Sequence, residues 1–172
     1  MRRKIQPLLL SGRTALAEKI LAAKQQVAEA VTAEFFVRHP DWLTRYGERG
    51  RARGVEDAIY HQRYLASAIE AGAAAPFADY ARWTVNMLGA RNIAAVFVAE
   101  NLEQIRQEVE PLLSPDEHEL VSVYIRGACD SIDGTAPQCP VETPSEPQTE
   151  LRWLVVFMWW LPSRAIAGER RT

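Results

Sequence analysis

Apolar residues recur at three- and four-residue steps through most of the chain, which is the spacing of one face of an α-helix. The clearest run lies in residues 93–112, where the steps are 3, 4, 3, 4 and 3. Its members are Ala95, Val98, Leu102, Ile105, Val109 and Leu112. Residues 13–133 contain no alternation of apolar and polar positions that would favour a strand. The sequence therefore predicts an all-α fold.

Start and stop signals divide this pattern into five long helices and one short helix, arranged as a globin-like or orthogonal bundle. The long helices are predicted over residues 13–37, 55–71, 76–89, 93–112 and 115–132, and the short one over residues 41–46. Pro40 and Gly72 are stop signals, whereas Asn92 and Ser114 are predicted caps. The stretch GERGRARG, residues 47–54, is predicted to be a flexible connection.

Composition separates this helical domain from what precedes and follows it. The predicted segments are an N-terminal segment (1–12), a helical sensory or regulatory domain (13–133), a linker (134–150) and an apolar tail (151–172). The linker has four prolines in 17 residues, and the tail contains LRWLVVFMWWLP. With about eleven apolar positions, this run is too short to cross a bilayer, which takes roughly 20 residues. It could dock on the bundle, insert into a membrane surface or partner groove, or be foreign to the domain.

Overall composition is that of a globular protein, with 48% hydrophobic and 24% charged residues. The net charge of −2 gives no reason to expect nucleic acid as a partner. Residues 1–54 nevertheless carry 11 Lys and Arg against 5 Asp and Glu, which favours an acidic partner surface or a solvated basic face. Cys129 and Cys139 lack metal-ligand spacing, so we expect reduced thiols in a cytoplasmic protein without a metal site.

A histidine between two tyrosines is the most prominent candidate for chemistry. A helical projection of EDAIYHQRYLASAI places His61 on the shoulder between the buried and the solvent-facing arcs. Asp57, one turn earlier, could accept a hydrogen bond from the ring and favour its charged form. Tyr60 and Tyr64 form an aromatic pair beside it. We expect an oriented interfacial histidine, with contact to a haem, metal or other ligand as the alternative.

Two further groups of residues could bind a ligand. Tyr80 and Trp83 lie on an aromatic helical face that is either core or the wall of a ligand pocket. Arg49, Arg51 and Arg53 could bind an anion within the glycine-containing connection, or lie in an ordinary mobile loop. The sequence contains no dinucleotide-binding, P-loop, zinc-protease or serine-hydrolase motif, so no catalytic residue is predicted.

Three blocks of residues carry a resemblance to a known family. The blocks are ED..YH..YL..AI from Glu56, F.DY..W...ML..R from Phe77 and NL..I from Asn101. Over residues 13–133 the chain resembles the helical N-terminal region of bacterial cobalamin-binding regulatory proteins. In that family a linker and a corrinoid-binding α/β domain follow, with a DxHxxG motif whose histidine ligates cobalt. This chain lacks that motif. The resemblance therefore implies the helical half alone, with cobalamin as a cofactor only of full-length relatives.

Three functions are consistent with these observations. The first is a non-enzymatic regulatory or sensory module that contacts a protein partner or its own copies. The second is a globin-like sensor. In it, the helix face that carries Asp57, His61 and Tyr64 would enclose a haem, tetrapyrrole or small apolar ligand together with Trp83. The third is a membrane-surface protein anchored through residues 151–161.

Overall fold

The computed structural model describes residues 10–132, which are helical apart from the turns that join the helices. The five helices are α1 (Leu10–Arg38), α2 (Pro40–Ala71), α3 (Ala75–Gly89), α4 (Ala95–Val109) and α5 (Pro115–Ile132). The described part of the chain contains no strand, which confirms the all-α prediction. None of its helices has the length and apolarity needed to cross a membrane. The predicted linker and tail lie outside the described residues, as do residues 1–9.

Helices α1 and α2 form a long antiparallel hairpin with a fixed register. Three contacts define the register, and in each contact the two residue numbers add up to 86. The facing pairs are Phe36 with Gly50, Thr32 with Gly54, and Lys24 with Gln62. Helix α1 also packs against α4, while α5 packs against both α3 and α4. The hairpin is thus the longest continuous interface of the domain.

Residues 47–54 are part of α2, so the prediction of a flexible connection was wrong. The backbone leaves helical geometry only at Gly47, where φ is 59° and ψ is −160° and the helix kinks. Gly50 and Gly54 lie on the face toward α1, and a Cβ at Gly54 would lie 3.0 Å from Cγ2 of Thr32. These glycines therefore allow two helices to approach closely, and the two helices predicted over 41–46 and 55–71 are one kinked helix.

Several predicted helix ends are confirmed by the backbone. Gly72 has a φ of 70°, and its N–H donates to the carbonyl of Ile69 at 3.0 Å. At the start of α5, the backbone N–H of Ser114 donates to Oε2 of Glu117 at 2.8 Å, and the N–H of Glu117 donates to Oγ of Ser114 at 3.4 Å. This reciprocal pair is a capping box. Lys19 of α1 pairs with Glu117 at 2.7 Å, which joins α1 to the start of α5.

Two ends of α4 differ from the prediction. Asn92 does not cap the helix, because it lies in the preceding turn with a φ of 60° and Ala94 occupies the cap position. Helix α4 ends at Val109, and one turn of 3-10 helix, Glu110–Leu112, continues it. Pro111 has no N–H to donate, which accounts for the change of helix type.

The core draws on every helix. Its largest fully buried side chains are apolar with one exception, Gln62 of α2. The apolar members of the fully buried set are Phe77, Leu16, Ile20, Leu65, Ile69, Leu102, Ile105, Ile125, Ile132, Val31 and Val109. Most of them occupy the apolar faces that the periodicity predicts, which is why the sequence alone indicates an all-helical fold.

Candidate functional site

His61 lies inside the protein, between α2 and α3, and is only 4% exposed. Its Nδ1 atom is 2.8 Å from the hydroxyl oxygen of Tyr80, which is itself buried. On the next turn of α3, Oγ1 of Thr84 donates a hydrogen bond to the backbone carbonyl of Tyr80 at 2.9 Å. The imidazole is therefore held from the opposite helix, across the α2–α3 interface.

The electrostatics of this pair favour two neutral groups. Burial lowers the pKa of His61 to about 4, so the ring carries no charge near pH 7. Burial also raises the pKa of Tyr80 above its ordinary value, so the phenol keeps its proton. The Tyr80 hydroxyl donates to Nδ1 when the neutral imidazole carries its hydrogen on Nε2, and it accepts in the other tautomer. Either tautomer preserves a buried hydrogen bond between the two helices.

Asp57 does not orient His61, contrary to the sequence prediction. One helical turn does separate the two residues, but the imidazole is directed toward α3, where Tyr80 supplies its partner. Asp57 keeps one side open to solvent, while packing around its carboxyl and then the negative charge of Glu56 raise its pKa to about 6. The expectation of a charged imidazole was wrong as well, because burial penalises the charged form of His61.

Three aromatic side chains form a partly exposed group above His61. The rings of Tyr64 and Tyr80 are stacked, with centroids 3.8 Å apart and planes inclined by 13°. The centroid of Trp83 lies 6.2 Å from that of Tyr80. Tyr64 is 40% exposed and Trp83 is 58% exposed, whereas Tyr80 is 8% exposed. We call Tyr64, Tyr80 and Trp83 the aromatic surface. Among the residues predicted to bind a ligand, these three form the largest aromatic cluster.

Tyr60 lies beside this surface rather than within it. The guanidinium of Arg63 lies over its ring, 5.8 Å from the centroid. Its predicted neighbour Tyr64 stacks on Tyr80 of α3 instead. Of the six predicted ligand-binding residues, four therefore meet at the α2–α3 interface, and Asp57 and Tyr60 flank them on α2.

The three arginines predicted to bind an anion do not converge. Because they alternate along a helix, Arg51 faces away from Arg49 and Arg53. The guanidinium of Arg51 lies over the ring of Phe36, 5.1 Å from its centroid, and Arg53 forms an ion pair with Glu56. A helix in place of the predicted loop thus separates Arg51 from the other two arginines, and the binding of an anion here stays a prediction.

A second aromatic cluster, which the sequence did not predict, surrounds His39 between α1 and α2. Nε2 of His39 is 2.7 Å from Oε2 of Glu100 in α4. The His39 ring lies 4.6 Å from that of Phe35 and 5.2 Å from that of Phe97, and Trp42 lies 4.8 Å from Phe97. The spacing of aromatic residues at 35, 39 and 42 is a sequence signal that could have indicated this cluster. Its side chains fasten the α1–α2 connection to α4.

Residues 10–132 contain no group of three or more His, Cys, Asp and Glu side chains that could hold a metal ion. Comparison of the chain with protein-family models, with curated proteins and with solved structures finds no match. The described fold and site together define an all-α domain with a buried histidine–tyrosine pair and an exposed aromatic surface.

Proposed function

We propose that residues 10–132 form a non-enzymatic regulatory or sensory module, a globin-like or orthogonal bundle that acts by contact with another protein chain, a second copy included. The observation that carries the proposal is the aromatic surface. Trp83 and Tyr64 leave 58% and 40% of their area in solvent although an apolar core lies directly beneath them. Large exposed aromatic side chains are the residues that contribute most to binding energy at protein interfaces.

The way the surface is held supports this role. Tyr80 stacks against Tyr64 from below, and its hydroxyl is fixed by His61. A side chain that is already ordered loses little conformational entropy when a partner binds, so more of the gain from burying it appears as affinity. The arrangement is therefore suited to recognition, and His61 supports it from within.

The resemblance to cobalamin-dependent regulators supports the regulatory class. Cobalamin itself does not fit the described residues as a stable ligand of this chain alone. The histidine nearest the aromatic surface is 4% exposed and bonded to Tyr80, so it presents no open nitrogen to a cobalt ion from outside. The aromatic surface would at most cover one side of such a ligand. A cytoplasmic location belongs to the same proposal, supported by a sequence with only two cysteines, which are too few for a disulfide framework.

A photo-crosslinking experiment tests the contact. Trp83 is replaced by p-benzoylphenylalanine in the full chain, and the matched control carries the same group at Val123 of α5, which is 37% exposed. Irradiation of the producing cells should give discrete higher-mass adducts from position 83 and none from position 123. Adding Tyr64→Ser should lower the adduct yield at position 83 several-fold. Equal yields at both positions, or no adduct at position 83, would contradict the proposal.

A second candidate function is a ligand-binding sensor of globin-like type. The observation in its favour is the stacked Tyr64–Tyr80 pair beside the exposed indole of Trp83, which offers flat faces to a flat ring system. Titration with haemin or hydroxocobalamin, followed by absorbance, tests it. A spectral change that His61→Ala abolishes would favour this function. Unchanged affinity in that variant would remove any ligand role for His61.

A further inference from the structure

The sequence that follows α5 contains prolines at the spacing of a polyproline II helix. Pro137 and Pro140 are three residues apart in the stretch APQCPV, and Pro144 and Pro147 repeat this spacing further along the chain. A polyproline II helix has three residues per turn, so prolines at this spacing lie on the same side of it. Proline-rich segments in this conformation bind surfaces lined with aromatic side chains. The chain therefore contains a ligand of the kind that its own aromatic surface fits.

The aromatic surface has the dimensions that such a ligand requires. The ring centroids of Tyr64 and Trp83 lie 3.8 Å and 6.2 Å from that of Tyr80, so the two exposed rings cannot be further apart than these distances taken together. A polyproline II helix rises about 9 Å over the three residues from one proline to the next. Both prolines of a pair can therefore contact the surface at once. The Tyr64 hydroxyl and the Trp83 indole N–H can donate to the peptide carbonyls, which this conformation leaves without internal hydrogen bonds.

The end of α5 brings the first pair of prolines within reach of this surface. Oγ of Ser131 donates to the backbone carbonyl of Ala78 in α3 at 3.4 Å. Trp83 follows Ala78 by five residues on the same helix, an axial rise of about 8 Å. Pro137 follows Ile132 by five residues, which span up to about 17 Å when extended. A connection this short gives the segment a high effective concentration at the surface, so that even weak binding is populated.

We propose that the Pro137–Pro140 segment of the same chain docks on the aromatic surface as a polyproline II helix, with its proline rings against Tyr64 and Trp83. A protein partner that uses this surface must displace the segment, so the segment regulates the contact. Of the two proline pairs, this one has the shorter connection to α5 and thus the smaller entropic cost of loop closure. The inference rests on the proposed function, because it names a ligand that competes for the same surface.

Photo-crosslinking of the purified full chain tests the docking without any partner. Trp83 is replaced by p-benzoylphenylalanine, and the matched control carries this group at Val123 of α5. Mass spectrometry of the digested monomer band should identify a covalent link from position 83 to residues 134–142 and none from position 123. No link from position 83 to this stretch would overturn the inference. A link found only in a dimer band would assign the segment to a second copy and would overturn docking within one chain.

Two double variants test the role of the proline rings. Pro137→Ala combined with Pro140→Ala should lower the yield of the link from position 83 several-fold, because alanine removes both rings and their conformational restriction. The matched control is Pro144→Ala combined with Pro147→Ala, which removes the same rings at the same spacing and should leave the yield unchanged. An equal yield in the two double variants would overturn the assignment to the first pair.

The same variants separate this inference from the proposed function. In producing cells, Pro137→Ala combined with Pro140→Ala should raise the yield of higher-mass adducts from position 83, because the competing segment binds less. An unchanged yield of adducts would overturn the regulatory role. Adducts in cells without any link in the purified chain would overturn the inference and support the proposed function. A link in the purified chain without adducts in any variant would contradict the proposed function and support the docking.

Discussion

The buried imidazole of His61 makes the stability of the fold sensitive to acid. The pKa of its side chain is about 4 in the folded protein and about 6.5 in an unfolded chain. As the pH falls below 6.5, the unfolded chain therefore binds a proton that the folded protein does not bind until about pH 4. The stability that this residue contributes is complete above pH 6.5 and is lost as the pH falls from 6.5 to about 4.

The difference in proton uptake predicts the behaviour of His61→Gln. Glutamine keeps an acceptor for the Tyr80 hydroxyl but does not titrate. Between pH 7 and pH 5 the wild type should lose about 2 kcal/mol more unfolding free energy than the variant. Urea denaturation at pH 7, 6 and 5 measures the difference. Equal losses in the two proteins would show that the imidazole is already accessible to protons in the folded state.

Asp57 should act in the opposite direction. Its pKa is raised to about 6 in the folded protein, so the folded state takes up a proton between pH 6 and the ordinary value of 3.8 and the unfolded chain does not. This residue therefore adds stability as the pH falls through that window. Asp57→Asn should make the acid loss of stability steeper than in the wild type. The same denaturation series checks the sign, and a shallower loss in Asp57→Asn would contradict it.

The identity of the residues at the site could be predicted, but their geometry could not. A projection of α2 alone places His61 between the buried and the solvent-facing arcs, one turn from Asp57. It contains no information about α3, which packs against this face. The position of α3 supplies Tyr80 as the partner, buries the ring and changes its charge. Gln62, which is fully buried, was missed for the same reason.

At the scale of the element, glycine is required for close helix packing at Gly54 of α2 but not at Gly127 of α5. A Cβ at Gly54 would meet Thr32 at 3.0 Å, whereas one at Gly127 would meet no atom within 4 Å. Gly127→Ala should raise the unfolding free energy by about 0.5–1 kcal/mol through helix propensity. Gly54→Ala should lower it by about 1 kcal/mol, because the contact lies in a closely packed interface.

Thermal or urea denaturation of the two alanine variants decides this comparison. Adding Thr32→Ser to Gly54→Ala removes Cγ2, the atom nearest the new methyl group, and should recover part of the loss. Equal stabilisation by both alanine substitutions would mean that α1 and α2 do not approach closely at Gly54.

Helix positions were predictable from periodicity, and several helix ends from capping residues such as Gly72 and Ser114. These signals depend on local backbone chemistry, which the sequence contains. The stretch of residues 47–54 was not predictable in this way, because glycine is typical both of mobile loops and of close helix contacts. Only the side chains of α1 opposite Gly50 and Gly54 distinguish the two cases.

At the scale of the whole molecule, the exposed part of the aromatic surface should add little to the stability of the fold. Trp83 is 58% exposed, whereas Phe77 on the same helix is 1% exposed. Trp83→Ser should change the unfolding free energy by less than about 1 kcal/mol, and Phe77→Ala should lower it by about 3–5 kcal/mol. Urea denaturation of both variants checks this contrast. A loss of similar size in both would assign Trp83 to the core.

His61 supports that surface as a neutral, buried imidazole, and an NMR titration of its ring measures this protonation state. The chemical shift of the Cε1 proton, followed from pH 8 to pH 3.5, reports the protonation of His61, with His61→Gln identifying the signal. We predict that the signal stays constant down to pH 5 and titrates with a midpoint near pH 4. A midpoint near 6.5 would mean that the ring is open to solvent, and the buried histidine–tyrosine support would be contradicted.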